Sequence, residues 1–166
     1  RHQARHNHPH GNQPIQHMIY LYDWAAQPWK AQQHIREVMD RFYTAAPDGY
    51  CGDEDNGQTS AWYVFSAMGF YPVCPGSGQY AIGSPYFDRV TLHLPDNKKF
   101  TIEAHDVTQP YIGSMTVNGR PYDRNYLEHT ELIKGGSIVY QMQATPNRKR
   151  GISAQAQPYS FIKNNR

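Results

Sequence analysis

The chain has 166 residues, enough for one ordinary domain or two small ones. Sixteen Lys and Arg against fourteen Asp and Glu leave a formal charge of +2, too balanced for a nucleic-acid binder working by bulk charge. No apolar run approaches the roughly 18 residues of a membrane-spanning helix, and thirteen tyrosines offset a shortage of aliphatic residues with large, buriable rings.

Residues 1–10 read as a His-rich irregular lead-in without hydrophobic periodicity. No charged-then-apolar leader is present in the sequence, which opens on Arg1. Residues 11–72 have a helical period. Ile15, Met18, Ile19 and Tyr22 predict one apolar stripe. Pro28 suits the first position of a second helix, in which Ile35, Val38, Met39 and Phe42 recur at i, i+3, i+4 and i+7. Pro47, Asp48 and Gly49 break the pattern, and a third helix follows a Gly-bounded loop at 52–57. There Trp62, Phe65 and Val64 are the candidates for the inward face, and Gly69 is the stop.

From residue 73 onward the period drops to two. Val90, Leu92 and Leu94 alternate with polar residues, Pro95-Asp96-Asn97 turns the chain, and Phe100, Ile102 and Ala104 alternate again. Asn118-Gly119 marks a second hairpin after Ser114–Val117, and Ile138 to Met142 reads as a fifth strand. The expected fold class is therefore α+β: helices, then a small antiparallel sheet or half-sandwich over 73–166. Cys51 and Cys74 could form at most one bridge and supply no four-ligand metal site.

The densest polar cluster is Gly52-Asp53-Glu54-Asp55-Asn56-Gly57-Gln58, set between two amphipathic helices. Adjacent carboxylates repel unless a cation or hydrogen-bond donors offset them, and the N-terminus of the following helix favours anions there. Asp55 and Asn56 are both placed to cap that helix. An EF-hand is excluded, because counting from Asp53 puts Gly57 at position 5, Gln58 at position 6 and Val64 at position 12.

This run, continued through Gln58-Thr59-Ser60-Ala61-Trp62-Tyr63-Val64-Phe65 to Ser77, resembles a long motif of glycoside hydrolase family 92, calcium-dependent exo-acting α-mannosidases that mostly cleave α-1,2 linkages. Gly11-Asn12-Gln13-Pro14, with Ala26-Gln27-Pro28-Trp29 downstream, resembles a second block of the family, usually Gly-Asn-Glu-Pro; Gln13 replaces its Glu. Ile82-Gly83-Ser84-Pro85 and Asn118-Gly119-Arg120-Pro121-Tyr122 match the β-rich tail. The resemblance implies the C-terminal part of such an enzyme, with residues 11–72 the last helices of an (α/α)6 catalytic barrel and 73–166 strands packed on them.

It also implies roles. Asp53 and Asp55 match the pair that holds and activates the attacking water, Asp55 as base, and the same two would share a Ca²⁺. Asn12, Gln13 and Glu54 would reach the substrate, although Asn12 is equally placed to cap a helix ahead of Pro14. The catalytic acid would lie upstream, since Glu37, Glu103, Glu128 and Glu131 stand in the wrong contexts. The implied partners are α-mannoside glycans and the rest of the same enzyme, and the implied location is periplasmic or secreted. A non-catalytic carbohydrate-binding or structural β-module with a helical lead-in is the alternative from another class. A metal-binding His-rich tail is a third.

Overall fold

The computed structural model describes residues 10–161, so the His-rich lead-in falls almost wholly outside the described residues. Two 3-10 segments, Gln13–Ile15 and Met18–Asp23, open the fold in place of the expected first α-helix. Pro14 sits in the first of them and lacks an amide donor. The difference matters because a 3-10 helix eclipses residues three apart. Met18 and Leu21 form one row and face outward, whereas Tyr20 and Asp23 form another and are fully buried. A 3.6-residue period had placed Met18 inside.

Helix α1 (Pro28–Phe42) follows, with Pro28 at its start and Ala31, Ile35, Val38 and Met39 buried along one face. Between Asp23 and Pro28, Ala26 adopts a left-handed conformation (φ 55°), which a Cβ disfavours. Helix α2 (Gln58–Met68) runs between two left-handed glycines, Gly57 (φ 97°) and Gly69 (φ 99°). Trp62 is fully buried and Phe65 partly so, but Val64 points outward and is 55% exposed. The expectation of Val64 on the inner face fails because Thr59, Trp62 and Ser66 define that face at helical spacing.

The second half contains two sheets. The larger comprises β3 (Arg89–His93), β4 (Lys99–His105), β5 (Tyr111–Val117), β6 (Arg120–Pro121) and β8 (Gly136–Gln143), in the order β3-β4-β8-β5-β6. Both expected hairpins are present, as is the fifth strand. That strand, however, pairs parallel to β4 and antiparallel to β5, so the sheet is mixed rather than purely antiparallel. The smaller sheet joins β1 (Phe70–Tyr71), β2 (Gln79–Ile82) and β7 (Tyr126–Glu128), all antiparallel. A four-residue helix, α3 (His129–Leu132), follows β7.

Two apolar clusters result. One lies over the sheets and is built on Phe100, Ile102, Ile112, Ile138 and Tyr140. The other joins the 3-10 segment, α1 and α2 through Ile19, Tyr20, Ile35, Val38 and Trp62. Polar bonds tie the two halves: Gln32 Oε1 accepts from the Ile112 amide (2.9 Å), and Arg36 donates to the Pro85 carbonyl (2.6 Å).

Asp23 is fully buried at the seam, where Asn125 Nδ2 donates to its carbonyl (3.5 Å). Among the described residues neither of its carboxyl oxygens has a hydrogen-bond partner, and Nε of the neighbouring buried Arg150 has none either. Arg150 donates instead to Asn125 Oδ1 (3.2 Å) and the Arg124 carbonyl (2.8 Å). Burial pushes the Asp23 carboxyl well above the ordinary range, against the opposing pull of the Arg150 charge. Cys51 and Cys74 are free thiols.

Candidate active site

The acidic loop connects Cys51 to the start of α2, and its shape follows from three consecutive left-handed residues, Asp55 (φ 53°), Asn56 (φ 57°) and Gly57 (φ 97°). Asp and Asn tolerate this region better than other residues with a side chain, at some conformational cost. Such strain persists only where the surroundings impose it. Here they do so from both sides.

On the helix side the cap is Glu54, not Asp55 or Asn56. Its Oε1 accepts from the Ser60 hydroxyl (2.6 Å) and the Ser60 amide (3.1 Å), and its Oε2 accepts from the Gly57 amide. These donors, the Ser60 hydroxyl foremost, hold the Glu54 carboxylate below its usual range. A carboxylate at this end also meets the positive pole of the helix dipole.

On the other side lies the lead-in segment. Gly11 and Gly52 are in backbone contact: a Cβ on Gly52 would collide with the Gly11 carbonyl oxygen, and one on Gly11 would come 2.9 Å from that of Cys51. The buried Gln13 side chain donates from Nε2 to the Asp53 carbonyl at 2.6 Å. Thr59, at the first turn of α2, donates its hydroxyl to the same carbonyl at 2.9 Å. Gln16 Nε2 in turn donates to Thr59 Oγ1 (3.1 Å), Trp62 Nε1 to the Gln16 carbonyl (3.1 Å), and Gln58 Nε2 to the Gln13 carbonyl (3.2 Å).

The Asp53 and Asp55 side chains are exposed and take no hydrogen bond or ion pair from the described residues. Asn12 is also exposed and makes no side-chain cap to the first 3-10 turn. The sequence-based candidates therefore divide: Asp53, Asp55 and Asn12 face outward, whereas Gln13 and Glu54 are engaged within the fold. Thr59, Ser60 and Gln16 belong to the site as supports, and motif spacing alone did not single them out. Trp62 is fully buried, and its ring stacks on Tyr43 at 5.7 Å. A separate cleft of about 500 Å³ lies in the sheet half, lined by Phe100, Arg120, Tyr122, Arg124 and Glu128 among others, and shares no residue with the loop.

The family model of the glycosyl hydrolase family 92 catalytic domain matches residues 1–144. The chain belongs to glycosyl hydrolase family 92. A family 92 inverting mannosidase from Bacteroides thetaiotaomicron VPI-5482 is similar at 58% identity and a TM-score of 0.88, over 93% of this chain and 21% of its own length. A family 92 α-mannosidase from Bacteroides thetaiotaomicron gives 40% identity and a TM-score of 0.87, over 92% and 21%. A secreted glycosidase of uncharacterized activity from Arthroderma benhamiae is 28% identical over 134 residues, 77% of this chain and 17% of that protein. The chain thus spans about a fifth of the length of these relatives.

Ca²⁺ takes about six to eight oxygen ligands. The outward carboxylates of Asp53 and Asp55 are oxygen donors of the right kind. No group of three or more His, Cys, Asp or Glu side chains comes together among the described residues, so these two carboxylates would not by themselves complete the shell of such an ion.

Proposed function

We propose that this chain is the C-terminal part of an inverting exo-acting α-1,2-mannosidase and carries the general-base side of its active site. The observation that bears most weight is the Asp55 carboxylate, exposed and without a partner among the described residues, on a strained loop that is braced from both sides. An inverting glycosidase uses one carboxylate to activate water and one carboxylic acid, across the ring, to protonate the leaving oxygen, with about 6.5–9.5 Å between them. Asp55 takes the water's proton as its oxygen attacks the anomeric carbon. Asp53, two residues away on the same loop, orients that water and cannot also be the acid on the far face of the sugar.

The acid lies elsewhere in the enzyme. Glu54 does not fill the role, because three donors keep it ionised where an acid must hold its proton. Asp23, the carboxyl that burial pushes up, is sealed inside and cannot touch a substrate. The exposed apolar row of Met18 (46%) and Leu21 (42%), together with Val64 on α2, suits packing against upstream helices of an (α/α)6 barrel. Asn12 faces the sugar. A Ca²⁺ held partly by Asp53 and Asp55 would polarise vicinal sugar hydroxyls when bound. The reading places the enzyme in the periplasm or outside the cell, acting on α-mannoside glycans; no described helix is long and apolar enough to cross a membrane.

The deciding experiment is Asp55→Asn in the full-length enzyme, assayed on an α-1,2-linked mannobiose. Turnover should fall by about 10²–10⁴-fold with the fold intact, the usual consequence of losing a general base. A correctly folded variant with near-normal kcat would sink the assignment. Chelation should abolish wild-type turnover and added Ca²⁺ restore it; full activity in chelator would remove calcium from the reading.

A further inference from the structure

Gln13 and Thr59 are separated by 46 residues, yet both donate to one acceptor, the main-chain carbonyl of Asp53, at 2.6 and 2.9 Å. Gln13 Nε2 also approaches Thr59 Oγ1 (3.4 Å), and Gln16 Nε2 donates to that hydroxyl at 3.1 Å, so each member holds the others in place. Gln13, Gln16 and Thr59 are all buried. The acceptor they share belongs to the residue two positions before Asp55, where the chain enters its left-handed run. Buried donors without partners are costly, which favours the arrangement in which each amide nitrogen of Gln13 and Gln16 is bonded, although Gln16 Oε1 has no partner among the described residues.

We infer that Gln13 and Thr59 are positioning residues: their paired bonds to the Asp53 carbonyl fix where the Asp53 and Asp55 carboxylates stand. The inference rests on the proposed roles of those two aspartates. It assigns Gln13 a task that an ionised Glu, the residue usual at this place in the family block, cannot perform, because a carboxylate has no proton to donate to a carbonyl. A chain with Glu here needs another way to hold the loop. Thr59 supplies the second donor and also accepts from the amides, which a methyl group in the same volume does not do.

The experiment uses the full-length enzyme with Gln13→Met, Thr59→Val, Thr59→Ser, the Gln13→Met/Thr59→Val double variant, and Asp55→Asn in parallel. Gln13→Met and Thr59→Val keep side-chain volume and delete donors. Each should lower kcat by about 10–100-fold, as misplacing a reacting group does, with KM within about twofold of wild type. Thr59→Ser, which keeps the hydroxyl, should recover most of the loss. The double variant should be little worse than the worse single one, because residues acting as a unit are not additive. Unchanged kcat in both folded donor-less variants overturns the inference. So does a loss that merely follows a fall in Tm and is not rescued by serine. If Thr59→Val does not fold, Gln13→Met decides by the same kcat and KM criteria. Normal turnover in Asp55→Asn instead topples the underlying reading of the aspartates, an outcome distinguishable from inactive Asp55→Asn beside fully active Gln13→Met.

Discussion

The helical and sheet halves of this chain are stabilised in different ways. Sheet residues such as Ile102, Ile112 and Ile138 reach almost complete burial in a cluster drawn mostly from their own half, with Phe65 and Met68 of α2 packed against it and ladder hydrogen bonds on both sides of β4, β5 and β8. The helical half buries Ile35 and Trp62, but leaves Met18, Leu21 and Val64 outward and relies on a polar lattice of Gln13, Gln16 and Thr59 at its site. A self-sufficient core tolerates loss at its edge; a lattice of buried amides does not, since each lost partner strands another. The proposed general-base side of the active site sits on the half that is less complete by itself.

The largest test of this contrast is a pair of core truncations in residues 1–166. Trp62→Ala should cost about 3–5 kcal/mol and Ile138→Ala about 2–5 kcal/mol. Their signatures should differ under hydrogen exchange. Trp62→Ala should speed exchange in α1 and α2 while the β4 and β8 amides stay protected; Ile138→Ala should expose both halves together. One shared transition in both variants would show that the halves are a single cooperative unit.

Asp23 probes the seam between them. The unfolded chain ionises this carboxyl near pH 4, whereas burial keeps it protonated in the folded state to a higher pH. Its contribution to stability is therefore full below about pH 4 and declines as pH rises through the folded value. Asp23→Asn should match wild type in Tm near pH 4 and exceed it at neutral pH. A lower Tm for the variant at neutral pH would identify Asp23 as an ionised counter-charge to Arg150. The smallest effect is at Ala26, whose left-handed backbone suits glycine: Ala26→Gly should stabilise by about 1 kcal/mol, read as a rise in Tm. No rise would mean that strain there is already relieved.

Much of the fold was legible because it is local. Alternation and Asn118-Gly119 identified both hairpins, and Pro28 and Gly69 bounded helices correctly. The small sheet was not legible, since its strands have only two to four residues and β2 finds β7 far along the chain. Nor was the parallel pairing of β8, which depends on what intervenes between it and β4. At the site, the motif singles out Asp53 and Asp55, and the helix N-terminus expected to favour an anion holds the Glu54 carboxylate. Asp55 and Asn56 were placed to cap that helix, since a short side chain next to the helix is the common solution; Glu54 reaches forward to Ser60 from ahead of the helix instead. The tie from Gln13 to Asp53 spans 40 residues and leaves no periodic trace, although Gln in place of the family's usual Glu was the one sign of it.

The contact between Gly11 and Gly52 has a consequence for engineering. Neither position has room for a side chain, and each is closed off by the other's backbone or its immediate neighbour's. The acidic loop is therefore not a portable module. Grafted onto another scaffold without residues 11–16, it would lose the wall it rests on, the amide that grips Asp53 and the partner of Trp62 Nε1 at once. Recombination between relatives should respect the same boundary: crossovers that separate residues 11–16 from 51–62 join halves of one object, while crossovers beyond Gly69 cut where a left-handed glycine already ends the helix.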